Sequence, residues 1–196
     1  MAHFSKLDMY YLGQGTHYDI YKKLGAHPIT EKGKKGVYFA VWAPNAEKVS
    51  VIGTFNDWQT DADVMERLEP MGIYELFVPG ASVGDLYKFY IETPDGRQLY
   101  KADPYANYSE LRPGNASCVA DINAFKWSDG KWMEKRQTCK DVYSQPMAIY
   151  EVHPGSWMRH PGREDEGFYT YREFAIKLAE YVKEMGYTHV ELMGIS

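Results

Sequence analysis

Two short apolar runs, Met147-Ala-Ile-Tyr-Glu-Val152 and Thr188-His-Val-Glu-Leu-Met193, flank a segment with every mark of one amphipathic helix. This strand-helix-strand pattern constrains the fold more than any other feature of the chain. Thr170 and Glu173 have capping-box spacing. Phe174, Leu178, Tyr181, Val182 and Met185 then recur at intervals of three and four, and Gly186 stands where a left-handed C-terminal cap is wanted. A right-handed crossover places the two runs in parallel, and a parallel pair needs strands at its edges and helices on its faces. The unit at residues 146–196 therefore reads as the opening of a larger parallel barrel, with bare sheet edges through which chains can self-associate.

Upstream the period changes from 3.6 to two. Val37, Phe39 and Val41 alternate with Tyr38, Ala40 and Trp42, and Pro44-Asn45 marks a turn before Val49-Ser-Val-Ile52. Further strands read as Ile73–Val78, Leu86–Ile91, Arg97–Tyr100 and Ser117–Ala120, punctuated by Pro79-Gly80, Gly84 and Pro94-Asp-Gly96. Short strands at this spacing predict a β-sandwich over residues 31–122, large enough for a core of its own. Residues 1–30 read as a helical appendage, with Thr16 and Asp19 at cap spacing and Gly25 as the stop. Residues 123–145 read as a linker, with Trp127 and Trp132 packing it onto the sandwich. Trp42 is assigned to the core. The expected class is mainly β: a sandwich followed by one βαβ unit of a truncated (β/α)8 barrel.

Composition narrows the function. A net charge of −5 speaks against nucleic acid and against anionic membrane, which are bound through clustered Lys and Arg. The one tight basic cluster, Lys32, Lys34 and Lys35, is interleaved with Gly33 and Gly36 and reads as a solvated hairpin turn. Cys118 and Cys139 are too few for a disulfide framework and lack metal-ligand spacing, so reduced thiols and a cytoplasmic location are expected, with no metal or other cofactor. No apolar window has the length of a signal peptide core or a membrane span. Aromatic residues make up 15%, with 17 Tyr and 5 Trp, a content that serves either a core or the flat C–H faces of sugars.

The runs Gly36-Val-Tyr-Phe-Ala-Val-Trp-Ala-Pro-Asn-Ala46 and Val51-Ile-Gly-Thr-Phe-Asn-Asp-Trp58 resemble the N-terminal sandwich of α-1,4-glucan (glycogen or starch) branching enzymes. Leu24–His27, Tyr87–Phe89, Lys101–Ala106, Arg112-Pro113, the run Glu151–Trp157 and the final Thr188–Met193 are similar to that family in the same order. Debranching enzymes share the sandwich, but the last two runs favour branching enzymes.

The resemblance implies an immunoglobulin-like family 48 carbohydrate-binding module joined to the start of an α-amylase-type barrel, and α-glucan (glycogen, maltooligosaccharides) as the partner. It gives Trp58 and Lys88 sugar-contacting positions, with Asn56 as a polar neighbour. Trp58 is then either a sugar platform or a half-buried turn anchor. A second Trp found in glycogen-targeting relatives is missing from Asp95–Leu99, which implies weaker binding. His153, Ser156 and Trp157 fall at the active-site rim of the parent barrel, where Ser156 and Trp157 either brace the rim loops or touch glucan.

Retaining glycosyl transfer requires two carboxyl groups about 5 Å apart. Glu151 and Glu191 lie on the two parallel strands but precede the strand ends, and both are read as structural, satisfied by backbone or a basic neighbour. Glu164, Asp165 and Glu166 read as a solvated charge run. In the resembled family the catalytic carboxylates come from later strands, beyond Ser196, so no catalytic residue is assigned and the chain alone is expected to bind glucan at most. The alternative is a stand-alone glycogen-binding or scaffold sandwich without catalysis.

Overall fold

A computed structural model describes residues 3–139, 141, 143–161 and 167–195. The acidic run at 164–166 lies outside the described residues. The chain divides into two compact units, residues 1–126 and 127–196.

In the first unit two antiparallel sheets enclose the core. One has the order β1-β2-β5-β4, from Gly25–Glu31, Lys34–Trp42, Ile73–Pro79 and Glu66–Leu68. The other has the order β3-β6-β9-β8, from Lys48–Gly53, Leu86–Glu92, Ser117–Cys118 and Tyr108–Ser109, with β7 (Gln98–Lys101) also paired to β6. Strand alternation sends Val37, Phe39 and Val41 of β2 inward to meet Val49 and Val51 of β3 and Tyr87 and Phe89 of β6. Phe39 and Tyr87 meet edge to face at 5.0 Å across the sheets. The Tyr87 hydroxyl donates to Asp103 Oδ2 at 2.6 Å, and Asp103 Oδ1 accepts the Tyr105 amide at 2.7 Å. Burial nevertheless pushes the Asp103 carboxyl above the usual carboxylate range, with these two hydrogen bonds opposing the shift.

Strand β1 departs from the expected appendage boundary at residue 30. Pro28 masks it in sequence, yet β1 is an edge strand, where a residue without an amide proton is tolerated. The helix before it also differs. Helix α1 runs Lys6–Gln14, earlier than the Thr16 cap implied, because Ser5 and Asp8 form the capping box and Gly15 takes the left-handed stop. Only a single turn of tight helix, Ile20–Lys22, follows Asp19. This segment is integral to the sandwich: Phe4 and Leu24 are buried against Tyr38, Ala40 and Ile73 on the outer face of the first sheet.

Trp42 corrects the core assignment. It ends β2 on that same outer face, is 55% exposed, and donates its indole N–H to the Met71 carbonyl at 2.8 Å. The Lys32-Gly33 hairpin has positive φ at both residues, the geometry of a tight primed turn, and leaves Lys32, Lys34 and Lys35 exposed.

In the second unit α2 (Gly130–Thr138) occupies the segment expected to be an irregular linker. Trp132 is exposed with the Arg136 guanidinium over its ring, and Trp127 is exposed as well. Strands β10 (Ile149–Val152) and β11 (His189–Leu192) pair in parallel, joined through α3 (Tyr171–Met185). Thr170 and Glu173 make the capping box of α3 and Gly186 closes it at φ 79°. Phe174 and Leu178 are buried with Val152, forming a small core beside Tyr150, Trp157 and Val182.

Candidate functional site

The first unit holds its candidate site at the end of β3. After Gly53 the chain makes a single tight helical turn, Thr54–Asn56, and then two consecutive non-glycine residues take left-handed backbone, Asp57 at φ 52° and Trp58 at φ 60°. For a residue as bulky as Trp that conformation costs on the order of 1 to 2 kcal/mol, so surrounding bonds must hold it. Asn56 supplies most of them. Its Oδ1 accepts the Gly53 amide at 2.9 Å, and its Nδ2 donates to the Val51 carbonyl at 3.0 Å and to Asp63 Oδ2 at 2.7 Å. The Trp58 amide closes the turn on the Gly53 carbonyl at 3.0 Å. The indole remains 38% exposed.

The neighbouring strand anchors the same turn. Gly53 is paired with Tyr87 and Ile52 with Lys88. A Cβ on Gly53 would lie 2.3 Å from the Leu86 carbonyl oxygen, so only glycine lets β3 approach here. Thr54 Oγ1 donates to Asp85 Oδ1 at 2.6 Å and accepts the Leu86 amide at 3.2 Å. Tyr87 points into the core and Lys88 therefore points out, where its ammonium donates to Asn115 Oδ1 at 2.5 Å.

Of the three expected sugar-contacting residues, Trp58 and Lys88 present groups at the surface. Asn56 has both amide protons and its carbonyl oxygen engaged by protein, so it acts by shaping the turn. Thr54, Asp63, Asp85 and Asn115 complete the arrangement; no spacing rule in the sequence singled them out, because their roles depend on pairing between distant strands.

In the second unit, His153, Ser156 and Trp157 follow β10 on a turn in which the His153 carbonyl accepts the amides of Ser156 and Trp157, each at 3.1 Å. Ser156 Oγ and His153 Nδ1 share a hydrogen bond at 3.2 Å. Trp157 lies edge to face on Phe174 at 5.5 Å and on Tyr181 at 5.7 Å, and its indole N–H donates to the Tyr150 hydroxyl at 2.8 Å. It is a packing residue of the local core. His153 lines a small cleft of about 190 Å³ with Tyr169, Tyr171 and Gly194 at the C-terminal ends of the strands.

Glu151 and Glu191 stand opposite one another in register, and both are exposed. The expected satisfaction by a partner is not required, since water solvates both carboxylates. Among the described residues no cluster of His, Cys, Asp and Glu could hold a metal ion, and no helix is long and apolar enough to cross a membrane.

A two-sheet antiparallel sandwich with an aromatic held out on a strained turn defines a class, and residues 23–106 match the family model of carbohydrate-binding module 48, the isoamylase N-terminal domain. That segment is a family 48 module. The chain as a whole is 61% identical over 192 residues, 98% of its length, to the 1,4-alpha-glucan branching enzyme GlgB of Butyrivibrio fibrisolvens, and 47% identical over 96% of its length to the enzyme of that name from Thermosynechococcus vestitus. It spans 30% and 27% of those two proteins. Among solved structures, the catalytic module of the multi-modular glycogen-degrading pneumococcal virulence factor SpuA shares the fold, with a TM-score of 0.59 at 23% identity over 87% of this chain and 26% of that one.

Proposed function

We propose that this chain is the glucan-binding portion of a 1,4-α-glucan branching enzyme, with the module contacting α-glucan through Trp58 and Lys88. The observation that carries the reading is Trp58 itself. An apolar ring kept more than a third exposed on left-handed backbone, braced by Asn56, is an expensive feature for a turn that only connects strands. Glucose presents a flat C–H face to such a ring, and the Lys88 ammonium and Asn115 amide supply hydrogen bonds for hydroxyls. Module 48 membership and the branching enzymes to which the chain is similar support glucan as the ligand class.

The second unit is proposed as the first βαβ unit of an α-amylase-type barrel, with His153 and Ser156 on its rim. The whole enzyme would cleave an α-1,4 bond through a glucosyl ester and transfer the chain to a 6-hydroxyl, using two carboxyl groups about 5 Å apart. Glu151 and Glu191 are not offered for that chemistry, and the chain by itself is proposed to bind without catalysing. The open edges of the β10–β11 pair are proposed as a route to self-association. A cytoplasmic setting accords with two unpaired cysteines.

Native electrophoresis through glycogen tests the binding. The chain should be retarded, Trp58→Ala should lose most of the retardation, and an iodine-staining assay should detect no branching. Wild-type retardation in the Trp58→Ala variant would remove Trp58 from the site, and branching by the chain alone would overturn the non-catalytic reading.

A further inference from the structure

Two clefts of the first unit, neither lined by residues 53–58, share a residue of the N-terminal segment. One, of about 440 Å³, is lined by Tyr11, Tyr18 and Lys22. The other, of about 230 Å³, is lined by Tyr21, the same Lys22, Asn107 and Asn123. Lys22 thus lines both clefts. Tyr18 is 87% exposed and Tyr21 51%, although both flank a segment that buries Phe4 and Leu24 nearby.

The floor is rigid. His17 Nε2 lies 2.9 Å from Asp8 Oδ1, the Lys23 ammonium lies 3.3 Å from Asp8 Oδ2, and the Lys23 ammonium also donates to the His3 carbonyl at 2.9 Å. The lining is amphipathic. Phenol rings alternate with amide and ammonium groups, in contrast to the cleft of about 550 Å³ against α3, whose walls are almost wholly apolar.

Resting on the glucan reading above, we infer that this surface is a second α-glucan subsite, with Tyr18 and Tyr21 as platforms and Lys22, Asn107 and Asn123 as hydroxyl partners. Aromatic faces interleaved with amide groups, and with a Lys22 ammonium already paired to Asp19 at 2.9 Å, suit a neutral polyhydroxylated chain. Two clefts that share a lining residue suit an extended polymer better than a compact ligand.

The test is native electrophoresis of the full chain through graded glycogen, comparing wild type, Trp58→Ala, the Tyr18→Ala/Tyr21→Ala pair, and all three changes together. The tyrosine pair should weaken retardation by about fivefold, and the triple variant should lose more than either. Tyr18→Phe/Tyr21→Phe, which keeps both rings, should stay near wild type, and thermal unfolding should show the exposed substitutions to be folded. If the tyrosine pair to Ala migrates as wild type at every glycogen concentration, this inference is overturned whatever Trp58→Ala does. If Trp58→Ala migrates as wild type while the tyrosine pair is weakened, the Trp58 assignment falls and the second subsite stands. A wild-type chain that glycogen does not retard overturns both.

Discussion

Asn56 and Asp63 are joined by a 2.7 Å hydrogen bond from amide to carboxylate, and this contact ties the turn bearing Trp58 to the segment running along the free side of β3. Asn56→Ala would leave the Gly53 amide and the Val51 carbonyl each without its partner. The expected loss is about 2 kcal/mol in urea unfolding, with weaker glycogen retardation although Asn56 offers no free group to sugar. Gly53→Ala is expected to cost at least as much, since its Cβ meets backbone at Leu86.

Trp58 holds a backbone conformation that favours glycine. Trp58→Gly is therefore expected to be more stable than Trp58→Ala by about 1 kcal/mol, while both lose the proposed sugar platform. Equal stabilities would mean that the left-handed turn relaxes once the ring is gone.

Asp8 caps α1 and receives His17 and Lys23. Burial works against its charge, but hydrogen bonds from Ser5, His17 and Lys23 outweigh it and hold the carboxyl well below the usual carboxylate range. A depressed folded value contributes stability that is complete above the ordinary carboxyl value of about 4 and is lost as pH falls through the folded one. Asp8→Asn should cost about 1 to 2 kcal/mol near neutrality. The gap to wild type should narrow as the acid limb is titrated; a constant gap would assign the loss to packing instead of charge.

Trp157 and Tyr150 meet through one hydrogen bond in a small core. Tyr150→Phe is expected to lower the protease resistance of residues 127–196 by an amount near 1 kcal/mol while leaving the unfolding of residues 1–126 unchanged. A loss in both units would show that their stabilities are coupled.

The parts legible in sequence were those fixed by local chemistry. The Thr170 and Glu173 box, the Gly186 stop and the alternation through Val37–Val41 each depend on residues a few positions apart. Strand β1 was hidden because Pro28 is read as a breaker unless the strand is known to be an edge. Helix α1 was misplaced because Thr16 and Asp19 imitate the cap that Ser5 and Asp8 provide. The exposure of Trp42 is hidden for a related reason: alternation gives its face, but only the tertiary fold shows that the cover over that face stops short of the strand end. At the candidate site, Trp58 and Lys88 enter as candidates through resemblance. The engagement of Asn56 was not, because it depends on Asp63 arriving alongside β3.

The closed ring of bonds around the Trp58 turn has an entropic consequence. With the backbone fixed at Gly53 and Asn56, an approaching ligand need not immobilise a loose loop in order to meet the indole, for that ordering has already taken place during folding. Association at this ring should then be governed by desolvation and stacking, and tightening the turn further would add little affinity.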